Sequence, residues 1–413
     1  MPSVTKLVVA LLLFTIVAST HAADDWTQWR GPDRTGQIFA GAWPQALDES
    51  RLQSRWRVPM GASYSGPLIT ADTIYTTESS GNKEFVKALD RQTGEQKWRA
   101  EWAGSMTVPF FAAANGSWIR ATPALDGDDL FVAGMRDVLV CLDATTGDIR
   151  WKADFTQALN TPVPSFGFVC SPLVDGDFVY VQAGGGFLNV DRINGNVVWR
   201  SLDDGGGMYG SAFSSPVIVE LAGTRQAVVQ TRQKLAGVDL ATGRELWSTP
   251  VEAFRGMNIL TPTVVGDRVF TSTYGGGSFL FNVTRSKNGG YSVRQVWRNK
   301  VQGYMSSPVV IDGHVYLHLR NQRFACINLE TGKEAWITTP FGKYWSLIAN
   351  GKQLLALDET GELLLINANP DQFELVARRK LSDAPTWAHL AIAGDEIVVR
   401  ELQAVTLFSW SDE

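Results

Sequence analysis

Few side chains of this protein have the types and the spacing that catalysis requires. Three histidines, His314, His318 and His389, follow the N-terminal 22 residues, and none lies in a zinc-binding His-Glu-x-x-His pattern. The three cysteines cannot all pair with one another, and none lies in the Cys-x-x-Cys-His pattern of haem attachment. A calcium-binding loop, a phosphate loop and a Gly-x-Ser-x-Gly nucleophile turn are also missing from the sequence. The sequence therefore predicts no catalytic, cofactor-binding or metal-binding residue, and we favour a protein that is not an enzyme.

Aromatic and glycine residues instead recur in the connections that precede short apolar strands. Examples are Phe166-Gly-Phe168 and Gly303-Tyr304, and residues 102–120 carry further aromatic side chains. Converging aromatic side chains with a few polar groups are typical of ligand pockets and of hot spots in protein interfaces. The same side chains could fill a narrow space without binding anything, and this alternative stays open. The candidate binding residues are Trp118, Arg120, Phe168, Tyr209, Asn258, Tyr304, Trp345, Trp387 and His389.

The elements that position these residues come from an internal repeat. Residues 88–98 are Ala-Leu-Asp-Arg-Gln-Thr-Gly-Glu-Gln-Lys-Trp, and similar segments occupy 141–151, 189–199, 237–247 and 326–336. In each segment an alternating strand leads into a turn, where Asp or Asn bonds the backbone ahead and Gly takes the left-handed conformation. Repeats of about 40 to 50 residues with short strands predict a β-propeller.

The number of repeats predicts the number of blades. Each inner strand starts with a small residue, commonly Ser or Thr followed by Pro, and His389 takes this place in the last unit, where it would face the central channel. That unit has no Trp-ended strand of its own, whereas residues 55–58, Arg-Trp-Arg-Val, precede the first unit. We therefore predict an all-β, eight-bladed β-propeller of four-stranded antiparallel blades, closed by this N-terminal strand. Seven blades would result if the weak unit at 345–381 is something else. The expected starts lie near Gly66, Thr122, Ser171, Ser215, Thr261, Ser307, Ser346 and His389.

The N-terminus has the pattern of a cleaved secretion signal. Lys6 precedes an apolar run at 7–18, and small residues follow at 20–22. No later apolar run reaches about 18 residues, so the sequence predicts no membrane span. The formal net charge of −5 gives no indication of a nucleic-acid groove. We expect a monomer in the periplasm or outside the cell.

Three parts are expected along the chain. They are a signal peptide at 1–22, a leader at 23–54 packed on the propeller, and a single eight-bladed propeller at 55–413, since a repeat ring grows by adding blades within one domain. Trp26 and Trp29 are expected to pin the leader across the outside of the ring. Recognition of a partner by these two residues is the alternative.

Residues 65–410 resemble the pyrroloquinoline-quinone-like propeller family, whose blade consensus, Ala-x-Asp-x-x-Thr-Gly-x-x-x-Trp, is matched most closely at 88–98. In this family, quinone-dependent alcohol dehydrogenases hold quinone and calcium in the central funnel beneath a disulfide between adjacent cysteines. The outer-membrane barrel-assembly propeller of Gram-negative bacteria binds no quinone and acts as a scaffold. This sequence has no adjacent cysteines, and its opening segment at 25–36 resembles that of secreted bacterial propellers. The resemblance is therefore closest to the secreted, assembly-factor-like members.

These observations favour an exported soluble propeller that acts as a binding or assembly module. Its aromatic rim at one mouth of the channel would take a protein, a peptide or a saccharide, without a cofactor. The alternative is an oxidoreductase with pyrroloquinoline quinone and calcium in the channel. A third hypothesis is a carbohydrate-active enzyme whose paired carboxylates are scattered over the rim.

Overall fold

The computed structural model describes residues 25–39, 43–205 and 212–411. These residues form eight antiparallel sheets, each with four strands of one blade, so the predicted eight-bladed propeller is confirmed. The short strand Gln37–Ile38 adds to the inner edge of blade 7 by parallel pairing. The helical turns are Phe110–Asn115, Phe155–Ala158 and Phe254–Gly256. Among the described residues, no helix has the length and apolarity that a membrane crossing requires.

The first four blades follow one another along the chain, and each runs from its inner to its outer strand. Blade 1 contains Leu68–Ile69, Thr73–Ser80, Lys83–Asp90 and Gln96–Ala103, and blade 2 contains Ala124–Asp126, Asp129–Gly134, Val138–Asp143 and Ile149–Asp154. Blade 3 contains Leu173–Asp175, Phe178–Ala183, Gly186–Asp191 and Val197–Ser201, and blade 4 contains Val217–Leu221, Thr224–Gln230, Lys234–Val238 and Glu245–Pro250.

The last four blades follow the same order, except that the outer strand of blade 8 comes from the N-terminus. Blade 5 contains Thr263–Val265, Arg268–Thr273, Gly277–Arg285 and Tyr291–Asn299, and blade 6 contains Val309–Ile311, His314–His318, Phe324–Asn328 and Glu334–Ile337. Blade 7 contains Trp345–Asn350, Gln353–Asp358, Glu362–Asn367 and Glu374–Lys380, and blade 8 contains Ala391–Ala393, Glu396–Glu401, Ala404–Trp410 and Leu52–Pro59.

The ring closes where Leu52–Pro59 pairs antiparallel with Ala404–Trp410. The predicted closure by an N-terminal strand is therefore confirmed, and the strand begins three residues before the segment that the sequence indicated. Covalently distant ends of the chain thus share one blade. This pairing covers the edge that the last blade would otherwise expose.

A Trp–Gly contact between neighbouring blades explains the repeat. In six of the eight blades, the tryptophan of the outer strand donates its indole N–H to a backbone carbonyl in the turn of the next blade, at 2.8 to 3.2 Å. In blade 4, Trp247 donates instead to Gln226 Oε1 of its own blade at 2.6 Å, and the outer strand of blade 7 has no tryptophan. In five of the six, the indole also lies on the turn glycine, so closely that a Cβ would clash with the ring or press against it. The six pairs are Trp56 with Arg91, Trp98 with Ala144, Trp151 with Arg192, Trp199 with Leu240, Trp297 with Leu329 and Trp336 with Asn369.

Hydroxyl groups join the blades a second time, at the starts of the inner strands. Each of these hydroxyl oxygens accepts a hydrogen bond from a backbone N–H of the neighbouring blade, at 3.0 to 3.2 Å. The small residue at the strand start is therefore a link between blades. We call the eight strand-start positions the hydroxyl layer, because six of them carry a hydroxyl group. They are Gly66, Thr122, Ser171, Ser215, Thr261, Ser307, Ser346 and His389. The donors and acceptors are Gly66 with Thr122, Thr122 with Ser171, Ser171 with Ser215, Thr261 with Ser307, and Leu390 with Ser346.

The first part of the leader, residues 25–38, crosses the hub, which is the space enclosed by the eight inner strands, and from here on "leader" means this part. In blade 8, His389 packs against Trp26 and Trp29, with ring centroids 6.1 and 5.0 Å apart. For residues 25–38, with Trp26 and Trp29, the expected position across the outside of the ring is therefore wrong. Further along the segment 23–54, the carbonyl oxygens of Leu47 and Asp48 accept hydrogen bonds from Arg379 on the outer strand of blade 7. Hydrogen bonds of the leader reach Ile69 of blade 1, Leu125 of blade 2, Ser171 and Pro172 of blade 3, Pro216 of blade 4, Thr261 of blade 5, Pro308 and Val310 of blade 6, and Ala349 of blade 7.

Two arginines hold the leader in this position. Arg34 donates to the carbonyl oxygens of Pro216 at 3.0 Å and Pro172 at 2.8 Å, and Arg30 donates to that of Pro308. Both guanidinium groups are almost completely buried, and burial lowers the pKa of Arg30 to about 9 and that of Arg34 to about 10. The carbonyl groups of the strand-start prolines therefore serve as their hydrogen-bond acceptors, as buried charges require.

The Trp–Gly contact can be tested with two glycine substitutions. Gly147→Ala would place a Cβ 2.5 Å from the Trp98 ring, whereas Gly176→Ala meets no atom within 4 Å, and both positions have a positive φ. We expect Gly176→Ala to lower the free energy of unfolding by about 1 kcal/mol through backbone strain. Gly147→Ala should lower it by a further 1 to 3 kcal/mol or so through overpacking, measured by urea unfolding. Equal losses in the two variants would contradict the contact.

Candidate binding site at the hub

A cavity of about 640 Å³ lies in the hub. Its floor contains Trp29 of the leader, His389, and residues of the hydroxyl layer including Ser307 and Ser346. Trp29 donates its indole N–H to Thr261 Oγ1 at 2.9 Å, which fixes the indole on the floor. Because the leader occupies this side, the cavity opens at the opposite mouth, beside the connections that enter the inner strands.

The wall of the cavity is a layer of eight residues, which we call the wall layer. Each stands two positions before a hydroxyl-layer residue, and in an extended chain residues two apart point the same way. All eight line the cavity, and Arg120 is the single charged residue among them. The wall layer contains Tyr64, Arg120, Val169, Phe213, Ile259, Met305, Tyr344 and Trp387.

Arg120 is held against the wall by main-chain carbonyl groups. Its Nη2 donates to Gly116 O at 2.9 Å and its Nε to Trp118 O at 3.2 Å, while Nη1 donates to no residue in the described part of the chain. Burial lowers the pKa of Arg120 to about 10, so this group stays cationic at neutral pH. Arg232 and Arg255 also line the cavity, whereas none of the described lining residues is Asp or Glu.

Aromatic rings surround the cavity mouth as a collar of successive contacts. The longer arc contains seven rings whose neighbouring centroids are 4.4 to 5.9 Å apart, and the shorter arc contains four rings 5.6 to 6.1 Å apart. Between the arcs, Arg255 lies 5.1 Å from the Phe254 ring and Arg232 lies 5.3 Å from the Phe213 ring. The aromatic collar contains, in order, Trp118, Tyr64, Trp387, Tyr344, Tyr304, Tyr274 and Phe254, and then Phe213, Phe166, Phe111 and Phe110.

Hydroxyl groups on the floor can donate hydrogen bonds to a ligand. The oxygens of Ser171, Ser307 and Ser346 accept backbone N–H groups, and among the described residues none of these hydroxyls donates a hydrogen bond. Next to them, His389 is uncharged, because burial lowers its pKa to about 3, and its Nδ1 lies 2.9 Å from Leu390 O. The floor is thus neutral and rich in hydrogen-bond donors.

Six of the nine candidate residues belong to the cavity or its collar. Arg120, Tyr304, Trp345, Trp387 and His389 line the cavity, and Trp118 contacts Tyr64 in the collar.

The remaining candidates make contacts within the ring or lie outside the residues that the structure describes. Phe168 is buried in the seam between blades 2 and 3, and Asn258 donates to the carbonyl oxygens of Thr231 and Arg232 at 3.0 and 3.2 Å. Trp345, although it borders the cavity, is only 4% exposed and is stacked on His318. Tyr209 lies outside the described residues.

Three important residues were missed by the sequence argument. Trp29 was expected outside the ring, and Tyr64 and Tyr274 stand outside the glycine–aromatic connections that the sequence singled out. A sequence signal for Tyr64 exists, because it stands two positions before the first predicted strand start, Gly66. The same spacing identifies Arg120 before Thr122 and Trp387 before His389.

The ring and its Trp–Gly repeat are those of a quinoprotein-type propeller, and this one has a cavity at the hub. The family model described as Outer membrane protein assembly factor BamB matches residues 82–338, more than half of the chain, and the chain belongs to this family.

Individual relatives agree with this assignment at low sequence identity. Outer membrane protein assembly factor BamB of Moranella endobia (strain PCIT) is 21% identical over 376 residues, which cover 86% of this chain and 90% of that protein. The crystal structure of BamB from Moraxella catarrhalis matches with a TM-score of 0.63 at 17% identity, over 87% of this chain and all of that one. Quinohemoprotein alcohol dehydrogenase from Comamonas testosteroni matches with a TM-score of 0.59 at 13% identity, over 94% of this chain and 80% of that one. The two structures share the fold, and at this identity they show nothing further.

A buried carboxyl group anchors the loop that carries Arg120. Glu84 accepts hydrogen bonds from the Trp102 indole at 2.8 Å and from the Met135 N–H at 2.9 Å, so it joins blade 1 to blade 2 just before the loop at 104–120. Burial raises the pKa of Glu84 to about 7, against the opposing effect of these two hydrogen bonds. Its carboxyl group therefore binds a proton more readily in the folded protein than in the unfolded chain.

This raised pKa predicts a pH dependence of stability. Between the unfolded value of 4.5 and about 7, the folded state binds more protons, so Glu84 makes the free energy of unfolding fall as the pH rises. In the Glu84→Gln variant this side chain cannot ionise. Between about pH 5 and pH 8, we expect the free energy of unfolding to fall less in this variant than in wild type, by up to about 3 kcal/mol. Asp137, whose pKa burial also raises to about 7, is present in both proteins and cancels in the comparison. Parallel curves of urea stability against pH would refute this assignment.

Proposed function

We propose that the mature protein is an exported binding propeller that captures a polypeptide partner in the hub cavity and on the aromatic collar. The observation that carries this proposal is the collar of aromatic rings and arginines at the mouth of the hub cavity. Tyr, Trp and Arg are the residues that dominate binding energy at protein interfaces. The relatives are named as outer membrane protein assembly factors, and this name supports a role for the protein in that assembly.

The exposure of the collar supports binding rather than filling of space. Phe110 is 90% exposed and Phe111 53% exposed, so these rings gain little from burial within the protein. Tyr64, Tyr304 and Trp387 are half-buried and present one edge to the cavity. Apolar side chains that stay exposed at the mouth of a cavity are typical of a surface that a partner covers.

The residues present do not fit a quinone and calcium centre. Calcium takes six to eight oxygen ligands, of which carboxylates are the usual anionic part. Among the described residues that line the cavity, none is Asp or Glu, and no described cluster of His, Cys, Asp and Glu has the arrangement of a metal site. The donor set of the cavity, arginines and hydroxyl groups, suits an anion and not a cation. The absence of carboxylates from the same lining also gives no support to glycoside hydrolysis, which needs two of them.

The collar can be tested with an unfolded polypeptide as the probe. We expect the triple variant Tyr64→Ala, Tyr304→Ala and Trp387→Ala to bind a urea-unfolded outer-membrane barrel protein, diluted into buffer, at least about tenfold more weakly than wild type, because each ring contributes on the order of 1 kcal/mol or more. The measurement is fluorescence anisotropy of the labelled probe with the purified mature protein.

A matched control removes three exposed apolar side chains far from the hub. Ile193, Val198 and Leu375 lie on outer turns and outer strands, where they are 79%, 50% and 37% exposed. Ile193→Ala, Val198→Ala and Leu375→Ala together should leave the affinity unchanged. If wild type and the collar variant bound the probe with equal affinity, and melting curves showed that both are folded, the proposal would be wrong. An equal loss of affinity in the control variant would also contradict it.

A further inference from the structure

Resting on the proposed function, we infer that the hub cavity receives the C-terminal end of its polypeptide partner and that Arg120 binds the terminal carboxylate. Three features of the site lead to this inference. They are the single mouth of the cavity, the charge of its wall and the donors on its floor.

Because the cavity has a single mouth, a partner polypeptide can enter it only with one of its two ends. The leader fills the other side of the hub, where Trp29 is hydrogen-bonded to Thr261 and packs on His389. A continuous extended segment cannot pass through such a cavity. A cavity of about 640 Å³ lies within the range of 300 to 1,000 Å³ or so that holds a ligand of modest size, which corresponds to the last few residues of a chain.

The charge of the wall distinguishes the two ends of a polypeptide. An N-terminal ammonium group would meet Arg120, Arg232 and Arg255, with no acidic side chain among the described lining residues. A C-terminal carboxylate would meet the opposite charge. Arginine is suited to this role because its planar guanidinium binds carboxylates through two parallel N–H donors.

The environment of Arg120 makes it the anchor among the three arginines. It is the single charge in the wall layer, and among the described residues it donates hydrogen bonds to the carbonyl oxygens of Gly116 and Trp118, which leave its net charge uncompensated. Tyr64 stands beside it, and the collar then continues to Trp387. A half-buried cation without an anion is unfavourable, so a ligand carboxylate stabilises this site when it binds.

The floor offers further donors to the same group. Ser171, Ser307 and Ser346 retain their hydroxyl hydrogens because their oxygens accept backbone N–H groups. His389 is neutral and adds no competing negative charge. The aromatic collar above would meanwhile pack against the apolar side chains that precede the carboxylate. A carboxylate on an apolar chain end therefore matches the donors below and the rings above.

The test compares two peptides that differ in one group. Both have the same apolar sequence and an N-terminal fluorophore, and one ends in a free carboxylate and the other in a carboxamide. We expect the mature wild-type protein to bind the carboxylate peptide at least about tenfold more tightly in fluorescence anisotropy, a difference of about 1.4 kcal/mol. Arg120→Gln should abolish this preference by weakening the carboxylate peptide alone, and Arg120→Lys should restore part of it.

The control variant is Arg294→Gln, on the exposed outer strand of blade 5, which should keep the full preference. If wild type bound the two peptides equally and the collar variant bound neither, the C-terminal inference would be overturned and the proposed function would stand. If the collar variant bound the peptides as tightly as wild type, or if wild type bound neither peptide, the C-terminal inference and the proposed function would both be overturned. A carboxylate preference that survives in folded Arg120→Gln would show that Arg120 is not the anchor. Displacement of the peptide by inorganic phosphate alone would instead identify a general anion site and contradict the inference.

Discussion

The structure depends on the leader, which meets all eight inner strands at one place. Inner strands of a propeller are sheet edges, and their backbone groups need partners where they converge. Residues 25–38 supply these partners through main-chain bonds and through the buried side chains of Arg30 and Arg34. One consequence is structural, because a single segment ties every blade to a common centre. The other is functional, because a channel through the ring becomes a cavity with one mouth.

Two kinds of contact between blades give the cavity its regular wall. At the outer side, indole rings cover the turn glycines of the next blade, and near the hub, strand-start hydroxyls accept the neighbouring N–H groups. Because these contacts recur at the same points of most repeats, the inner strands start at the same height. The residue two positions earlier is therefore brought to the same height in every blade. Eight separate loops therefore contribute one residue each to the wall layer of the cavity. Arg120 is the one charged residue in this layer.

The fold was predictable because its signals are local and repeated. Asp-x-x-Thr-Gly turns, Trp-ended strands and the Trp-bearing segment before the first unit sufficed for eight blades and their closure. The position of the leader was not predictable in this way. Its arginines violate the usual rule that charged residues stay exposed, and their partners are carbonyl groups that no side-chain pattern reveals. At the candidate site, several of the aromatic connections that the sequence singled out line the hub cavity. They did not distinguish Trp387, which borders the cavity, from Phe168 and Asn258, which are buried in the ring. The spacing of two residues before each strand start makes this distinction, since it depends on register and not on composition.

The central claim is that the leader closes the hub, and hydrogen–deuterium exchange of the mature protein, followed by mass spectrometry, tests it directly. In the structure, the N–H groups of Trp26 and Gly36 in the leader bond to Ile69 O and Arg30 O, and those of Leu125 and Ala349 in the inner strands bond to Thr27 O and Gly36 O. Peptides that cover residues 25–38 should therefore exchange as slowly as the inner strands of the blades, because they open only when the ring opens. Exchange of the leader within seconds, while the blades remain protected, would mean that the hub is open at both ends and would contradict the account.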